Sequence, residues 1–197
     1  MESTYTILKK QITQRLADVP LHQPIHINRA LSDVLDSYDI PEKAKLACLT
    51  IDTAMCHLDA VPGDHLSKQS ILIGDLLSAH FYTILAELNN PSYQAKISQA
   101  IVEVNELKSS IHHNQIDKQQ IDKQQIEKTI LTIECLFPIV TIQHYIADVN
   151  TIDIQAKMFN HDDAHLSFYL RQYSKEEQNT FFKNIKQNYI HKRGNLK

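Results

Sequence analysis

Apolar residues recur at spacings of three and four along most of this chain, and prolines divide the repeats into blocks. Glycine is scarce: there are three in 197 residues, and none lies between Pro91 and Arg193. The first three apolar stripes are Tyr5, Leu8, Ile12, Leu16 and Val19; then Ile27, Leu31, Val34, Leu35 and Tyr38; then Ala44, Cys48, Ile51, Met55 and Leu58. These spacings indicate helix faces, whereas strands require alternation. We predict an all-α helical bundle, a single domain over residues 1–190 with a frayed basic tail over 191–197.

The composition limits the kinds of partner that the chain can bind and indicates its cellular compartment. Twenty basic against 23 acidic residues give a net charge of −3, which argues against nucleic acid. The three cysteines, Cys48, Cys56 and Cys135, form no metal-type pair and fit reduced thiols in the cytoplasm. The longest apolar stretch, residues 130–142, is shorter than the ~20 residues of a membrane span. We expect a cytoplasmic chain with no transmembrane segment, able at most to lie against a membrane surface.

The segment over residues 67–88 differs from the other blocks because apolar side chains cover most of its helical circumference. They are Ile71, Leu72, Ile73, Leu76, Leu77, Phe81, Tyr82, Ile84, Leu85 and Leu88. A helix that is apolar nearly all round is deep core or is pressed against a second protein. Glycine inside a helix costs up to ~1 kcal/mol relative to alanine, so Gly74 indicates close approach of another backbone. We take Gly74, Asp75, Leu77 and Phe81 as subunit-interface candidates.

The region around this helix follows a distinctive order of residues. Residues 57–62 read HLDAVP at the end of the third apolar stripe, and residues 63–68 read GDHLSK. The next helix carries the pair Gly74-Asp75 inside its apolar run. The order is therefore helix end, short polar loop, and helix with a Gly-Asp pair.

This order resembles the centre of the all-α trans-prenyl diphosphate synthases. There a helix ends in His-Asp-Asp-x-x-Asp, a basic loop follows, and the next helix carries a Gly-Asp pair. Here Asp59 alone remains of the three aspartates, and Leu58 and Pro62 stand at the other two positions. The chain most resembles component 1 of the two-component heptaprenyl diphosphate synthases, their small non-catalytic subunit. The resemblance covers mainly residues 44–88 and implies a reduced trans-prenyl synthase fold.

The altered motif removes the chemistry that prenyl transfer needs. Magnesium ions neutralise the departing diphosphate and take oxygen ligands at about 2.0–2.1 Å. Leu58 and Pro62 offer no side-chain oxygen, and the loop that should grip phosphate has Asp64 and the single Lys68. We expect this chain alone to be inactive, with no catalytic residue and no metal site, and Mg²⁺ to belong to the partner. A second Asp-rich motif would fall at Asp162-Asp163, where it also lacks its third aspartate.

The resemblance implies a role in a complex. A larger catalytic subunit with intact Asp-rich motifs would add isopentenyl diphosphate to farnesyl diphosphate, giving about seven isoprene units for a menaquinone side chain. This chain would supply contact surface and part of a product tunnel. The small Thr53 and Ala54 would leave room for the growing tail, and Phe81 and Tyr82 would form a stop.

Two readings from other classes remain open. His161, Asp162 and His165 place two imidazoles four residues apart, as in helical zinc sites, which would suit a metal-dependent hydrolase. A third ligand is not apparent. The other reading is a helical adaptor unrelated to isoprenoids, which explains the composition equally well but leaves the order of residues 57–88 to coincidence.

Three features of the second half concern structure alone. Residues 115–128 read QIDKQQIDKQQIEK, a repeat of five. Five residues advance a helix by about 140°, so its isoleucines cannot share a face, and we expect a solvated connector or a loosely packed helix. Pro138 should kink or end the following helix. A terminal amphipathic helix is predicted over residues 168–189.

Overall fold

Seven α-helices make up the described part of the chain. This computed structural model describes residues 2–17, 25–59, 67–116 and 123–159, with the isolated positions 180 and 183. The helices are α1 (Thr4–Arg15), α2 (Arg29–Asp36), α3 (Glu42–Asp59), α4 (Ser67–Leu88), α5 (Pro91–Ile116), α6 (Lys123–Tyr145) and α7 (Thr151–Phe159). No strand occurs in these ranges, and the predicted all-α class is confirmed.

The helices fall into two compact units. The first unit extends to Pro91 and holds α1 to α4, whereas the second begins at Ser92 and holds α5 to α7. In the first unit α3 contacts α1, α2 and α4, and in the second α6 contacts α7. The single domain expected over residues 1–190 stays a prediction.

Asp36, at the end of α2, caps the start of α1. Its carboxylate accepts the Thr4 backbone N–H at 3.0 Å and the Thr4 hydroxyl at 2.5 Å. Beside it, the Tyr5 backbone N–H donates to the Ser32 hydroxyl at 2.8 Å. Lys45 of α3 places its ammonium 3.9 Å from the same carboxylate. These bonds satisfy N–H groups that a helix start leaves unpaired, and they tie α1 to α2 and α3.

Helix α3 is buried along most of its length. Its buried residues are Ala44, Leu46, Ala47, Cys48, Leu49, Thr50, Ile51, Thr53, Ala54 and Met55. Two of them are polar, and each finds an acceptor in its own helix. The Thr50 hydroxyl donates to the Leu46 carbonyl at 2.6 Å, and the Thr53 hydroxyl donates to the Leu49 carbonyl at 2.8 Å. The hydroxyls therefore enter the core without an unsatisfied group.

The second unit is organised around Tyr93 of α5. Its side chain is fully buried, and its hydroxyl lies 2.9 Å from the Thr141 hydroxyl on α6. The rings of His144 and Tyr145 lie 5.4 and 5.6 Å from the Tyr93 ring, centroid to centroid. A buried tyrosine hydroxyl needs a hydrogen-bond partner, and Thr141 supplies it.

Helix α6 does not end at Pro138. It continues to Tyr145, although a proline inside a helix removes one hydrogen bond and costs about 3 kcal/mol. Phe137 and Ile142, on either side, are 4% and 0% exposed, so packing holds the helix through the proline.

The pentad repeat of residues 115–128 is helical at both ends, since α5 reaches residue 116 and α6 begins at 123, while residues 117–122 lie outside the described part. The terminal helix predicted over 168–189 also lies outside it, apart from positions 180 and 183, as does the tail over 191–197.

The Tyr93–Thr141 bond yields a prediction for stability. Tyr93→Phe should lower the free energy of unfolding by about 1–2 kcal/mol, because the Thr141 hydroxyl loses its partner in the core. Tyr93→Phe combined with Thr141→Val should cost less than the sum of the two single changes, since both polar groups are then absent. Urea unfolding of the four proteins measures the difference. Strictly additive losses would contradict a direct bond.

Candidate functional site

Helix α4 has two apolar faces with different surroundings. Its inner face lies in the core and consists of Ile73, Leu77, Phe81, Ile84 and Leu85, each at most 4% exposed. Its outer face is exposed: Ile71, Leu72, Leu76 and Tyr82 retain 42%, 48%, 37% and 50% of their accessible surface. We call these four residues the outer face of α4. A soluble helix normally presents polar residues on that side.

Gly74 allows α4 to lie close against α3. A Cβ atom at position 74 would lie 2.6 Å from Cγ and Cδ2 of Leu58 and 3.4 Å from the Ala54 backbone oxygen. The close approach of a backbone that the sequence indicated is therefore to Ala54 of this same chain. The more severe contact is with Leu58, which stands at one of the altered aspartate positions.

The structure places three of the four interface candidates inside the chain. Gly74 is buried, and Leu77 and Phe81 are 1% and 0% exposed. Asp75 alone is exposed. The chain's own packing thus accounts for three of them, and the large apolar residues of α4 that another protein can reach are those of the outer face.

Of the four product-tunnel candidates, three are likewise buried and one is exposed. Thr53 and Ala54 of α3 and Phe81 of α4 are all 0% exposed, whereas Tyr82 is half exposed. The Phe81 and Tyr82 rings meet edge to face with their centroids 5.0 Å apart. Tyr82 is therefore the one candidate of the four that can be reached from outside the core.

The end of α3 carries His57, Leu58 and Asp59. His57 is half-buried, and its Nε2 has no hydrogen-bond partner among the described residues. Burial lowers the pKa of His57, and the neighbouring His26 lowers it further, so the ring is neutral at pH 7. Residues 60–66, which include the second altered motif position, lie outside the described ranges.

No group of three or more His, Cys, Asp or Glu side chains suited to a metal ion occurs among the described residues. The hydrolase candidates His161, Asp162 and His165 lie outside the described part of the chain, as does Asp163 of the second Asp-rich motif.

From the sequence, the outer-face residues of α4 are recognised as apolar but are not separated from the inner ones. A signal for the separation exists in Asp75, one of few charged residues on α4. Ile71 and Leu72 precede Asp75 by four and three residues, so they share its helix face. A carboxylate avoids the core, so this face is the exposed one.

By length and composition, residues Gln69–Leu88 are also apolar enough to cross a membrane. One such helix is weak evidence, because a core helix of a soluble protein passes the same test. Its inner face packs in the core of this chain, as that of a core helix does. The absence of a transmembrane segment stays a prediction.

Comparison with known proteins identifies the class. Residues 2–140 match a family model described as HexPS-like, the small subunit of hexaprenyl diphosphate synthase. The fold matches a crystal structure of heptaprenyl diphosphate synthase from Staphylococcus aureus with a TM-score of 0.74 and 43% identity, over 98% of this chain and 100% of that one. No curated protein matches. The chain belongs to the family of small subunits of the polyprenyl diphosphate synthases, which confirms the resemblance drawn from residues 44–88.

The contact of Gly74 with Leu58 yields a second prediction. Gly74→Ala should destabilise the protein by about 1–3 kcal/mol, because its Cβ would overlap Leu58. In a Leu58→Ala background the same change should instead stabilise by up to about 1 kcal/mol, since alanine favours the helix. Thermal or urea unfolding of the four variants measures the change of sign.

Ser78→Ala, one turn further along α4, is the matched control and should have the same small effect in both backgrounds. If Gly74→Ala stabilises the protein with Leu58 present, the close packing of α3 on α4 is not what requires glycine.

Proposed function

We propose that this chain is the non-catalytic partner in a heterodimer, and that its larger, catalytic prenyl synthase subunit binds the outer face of α4. The pair works in the cytoplasm and elongates farnesyl diphosphate with isopentenyl diphosphate. The polyprenyl product becomes a menaquinone side chain. The observation that carries the proposal is an exposed apolar helix face in a chain of a small-subunit family.

The composition of the outer face supports a protein partner. Contiguous exposed apolar residues are uncommon on monomers and mark interaction sites. Leu72 and Leu76 are one turn apart, and Tyr82 adds an aromatic side chain of the kind that often dominates binding energy. The inner face of the same helix is held by the core, so the outer face is presented on a rigid element.

The residues at the end of α3 indicate why the partner, and not this chain, would carry the catalytic metal site. Leu58, at a position where the resembled enzymes have a metal ligand, contacts Gly74 of α4 and supplies no oxygen. Bound Mg²⁺ would neutralise the diphosphate leaving group, and carboxylates of the catalytic subunit would hold it. This chain contributes surface, and it binds prenyl diphosphates only through the complex.

The first test is of activity. The isolated chain, with or without Mg²⁺, should not turn over farnesyl and isopentenyl diphosphates, and activity should appear when the catalytic subunit is added. Radiolabelled isopentenyl diphosphate incorporated into polyprenol measures it. Turnover by this chain alone would overturn the assignment of a non-catalytic role.

The second test is of the surface. Leu72→Glu or Leu76→Glu should weaken binding of the catalytic subunit at least about tenfold, since a carboxylate would be buried without a partner. Val102→Glu on α5 is the matched control, because Val102 is as exposed as Leu72, at 48%, yet lies outside α4. Calorimetry measures affinity, and circular dichroism checks folding. Equal affinity in all three variants would place the interface elsewhere.

Of the four product-tunnel candidates only Tyr82 has an exposed side chain, and it is therefore the residue of this chain that would limit product length. It lies on the proposed contact face, where a growing prenyl tail between the subunits could meet it. Each further isoprene unit buries five carbons at about 0.8 kcal/mol per CH₂, so a bulky stop acts sharply. The buried Phe81, whose ring centroid lies 5.0 Å from that of Tyr82, would then support Tyr82 from the core side.

Tyr82→Ala should give longer products than the native pair, because the stop is removed, whereas Tyr82→Phe keeps the bulk and should leave product length unchanged. Polyprenols are chromatographed after phosphatase treatment, at protein concentrations where the heterodimer is saturated. If Tyr82→Ala changes only the rate, this chain does not set product length through Tyr82.

A further inference from the structure

A buried histidine joins α4 to α1. His80, on the inner side of α4, is 5% exposed, and its Nε2 lies 2.9 Å from the Gln11 Oε1 atom of α1. With a carbonyl oxygen as acceptor, Nε2–H is the donor and Nδ1 is the unprotonated nitrogen of a neutral ring. Nδ1 is also buried, and it has no hydrogen-bond partner among the described residues.

The charges around His80 come from three helices. The charges of Arg15 on α1 and Glu87 on α4 influence the pKa of His80. The Glu87 carboxylate is itself 3.1 Å from the Lys43 ammonium of α3. Burial lowers the pKa of His80 most, and Arg15 lowers it further, while Glu87 raises it. Lys43 and Glu87 are both about half exposed, so solvent screens the opposing effect of Glu87.

We propose that His80 is a proton-operated latch between α4 and the last turns of α1. The neutral His80 ring lies buried beneath α1 and donates its Nε2–H to the Oε1 atom of Gln11. A proton on Nδ1 would create a buried cation beside Arg15 with no described acceptor, and opening the end of α1 would hydrate it. Ile12 and Leu16, each 4% exposed in the closed form, would then be uncovered. The latch belongs to this chain alone and does not depend on the proposed heterodimer.

The direction of the pH effect follows from linkage. The pKa of His80 lies below its ordinary value of 6.5 when α1 is closed and returns toward 6.5 when α1 opens. The closed form therefore has its full stability above about pH 6.5 and loses it as pH falls. Between pH 7.5 and 5.5 the opening equilibrium should rise up to about tenfold, the limit for one proton taken up over that range.

Native-state hydrogen exchange on the full chain tests the latch. Amides in the last turns of α1, corrected for intrinsic exchange rates, should open up to about tenfold more at pH 5.5 than at pH 7.5. His80→Gln should abolish this dependence, because its amide can still donate to Gln11 but does not titrate. His144→Gln, in the second unit, is the matched control and should leave the dependence of α1 unchanged.

A titration of the His80 ring by NMR in the native chain gives an answer that no variant's folding can obscure. A value well below 6.5, together with pH-dependent opening of α1, supports the latch. An ordinary value near 6.5, equal exchange at both pH values, or a dependence that survives in His80→Gln overturns it.

Discussion

The close packing of α3 on α4 at Gly74 governs the first unit. Because position 74 has no side chain, the α4 backbone approaches Leu58 and the Ala54 carbonyl. That approach fixes the rotation of α4, which sends Leu77 and Phe81 into the core and leaves the outer face in solvent. Helix α3 in turn contacts α1 and α2, so the same contact orients every helix of the unit.

A single residue links this packing to the altered Asp-rich motif. Leu58 stands where the resembled synthases carry an aspartate, and it occupies the space that Gly74 leaves open. A carboxylate there could not make the same apolar contact, and a leucine cannot ligate magnesium. In this chain the end of α3 therefore serves the stability of the subunit, and under the proposed division of labour the reaction depends on the catalytic partner.

The sequence predicted the helical class and the extent of α4 well, because these depend on local periodicity. The bounds predicted for that helix, residues 67 to 88, are those of α4. The faces of α4 were not separated, because a helix that is apolar all round carries little periodic signal, and only a few charged residues, Asp75 among them, mark the solvent side. The partner of Gly74 lies sixteen residues away on α3, and such tertiary contacts leave no local pattern. Pro138 was expected to kink or end α6; the helix does not end there, because packing on both sides outweighs the intrinsic preference.

The contact between Leu58 and Gly74 also has an evolutionary consequence. Replacing Leu58 by aspartate would lose packing at once, while a working metal site would still lack an aspartate at position 62 and the basic loop. The first step toward a metal site is therefore a loss of stability with no gain in activity, and selection would remove it. Close packing of two helices thus keeps position 58 committed to holding the subunit together.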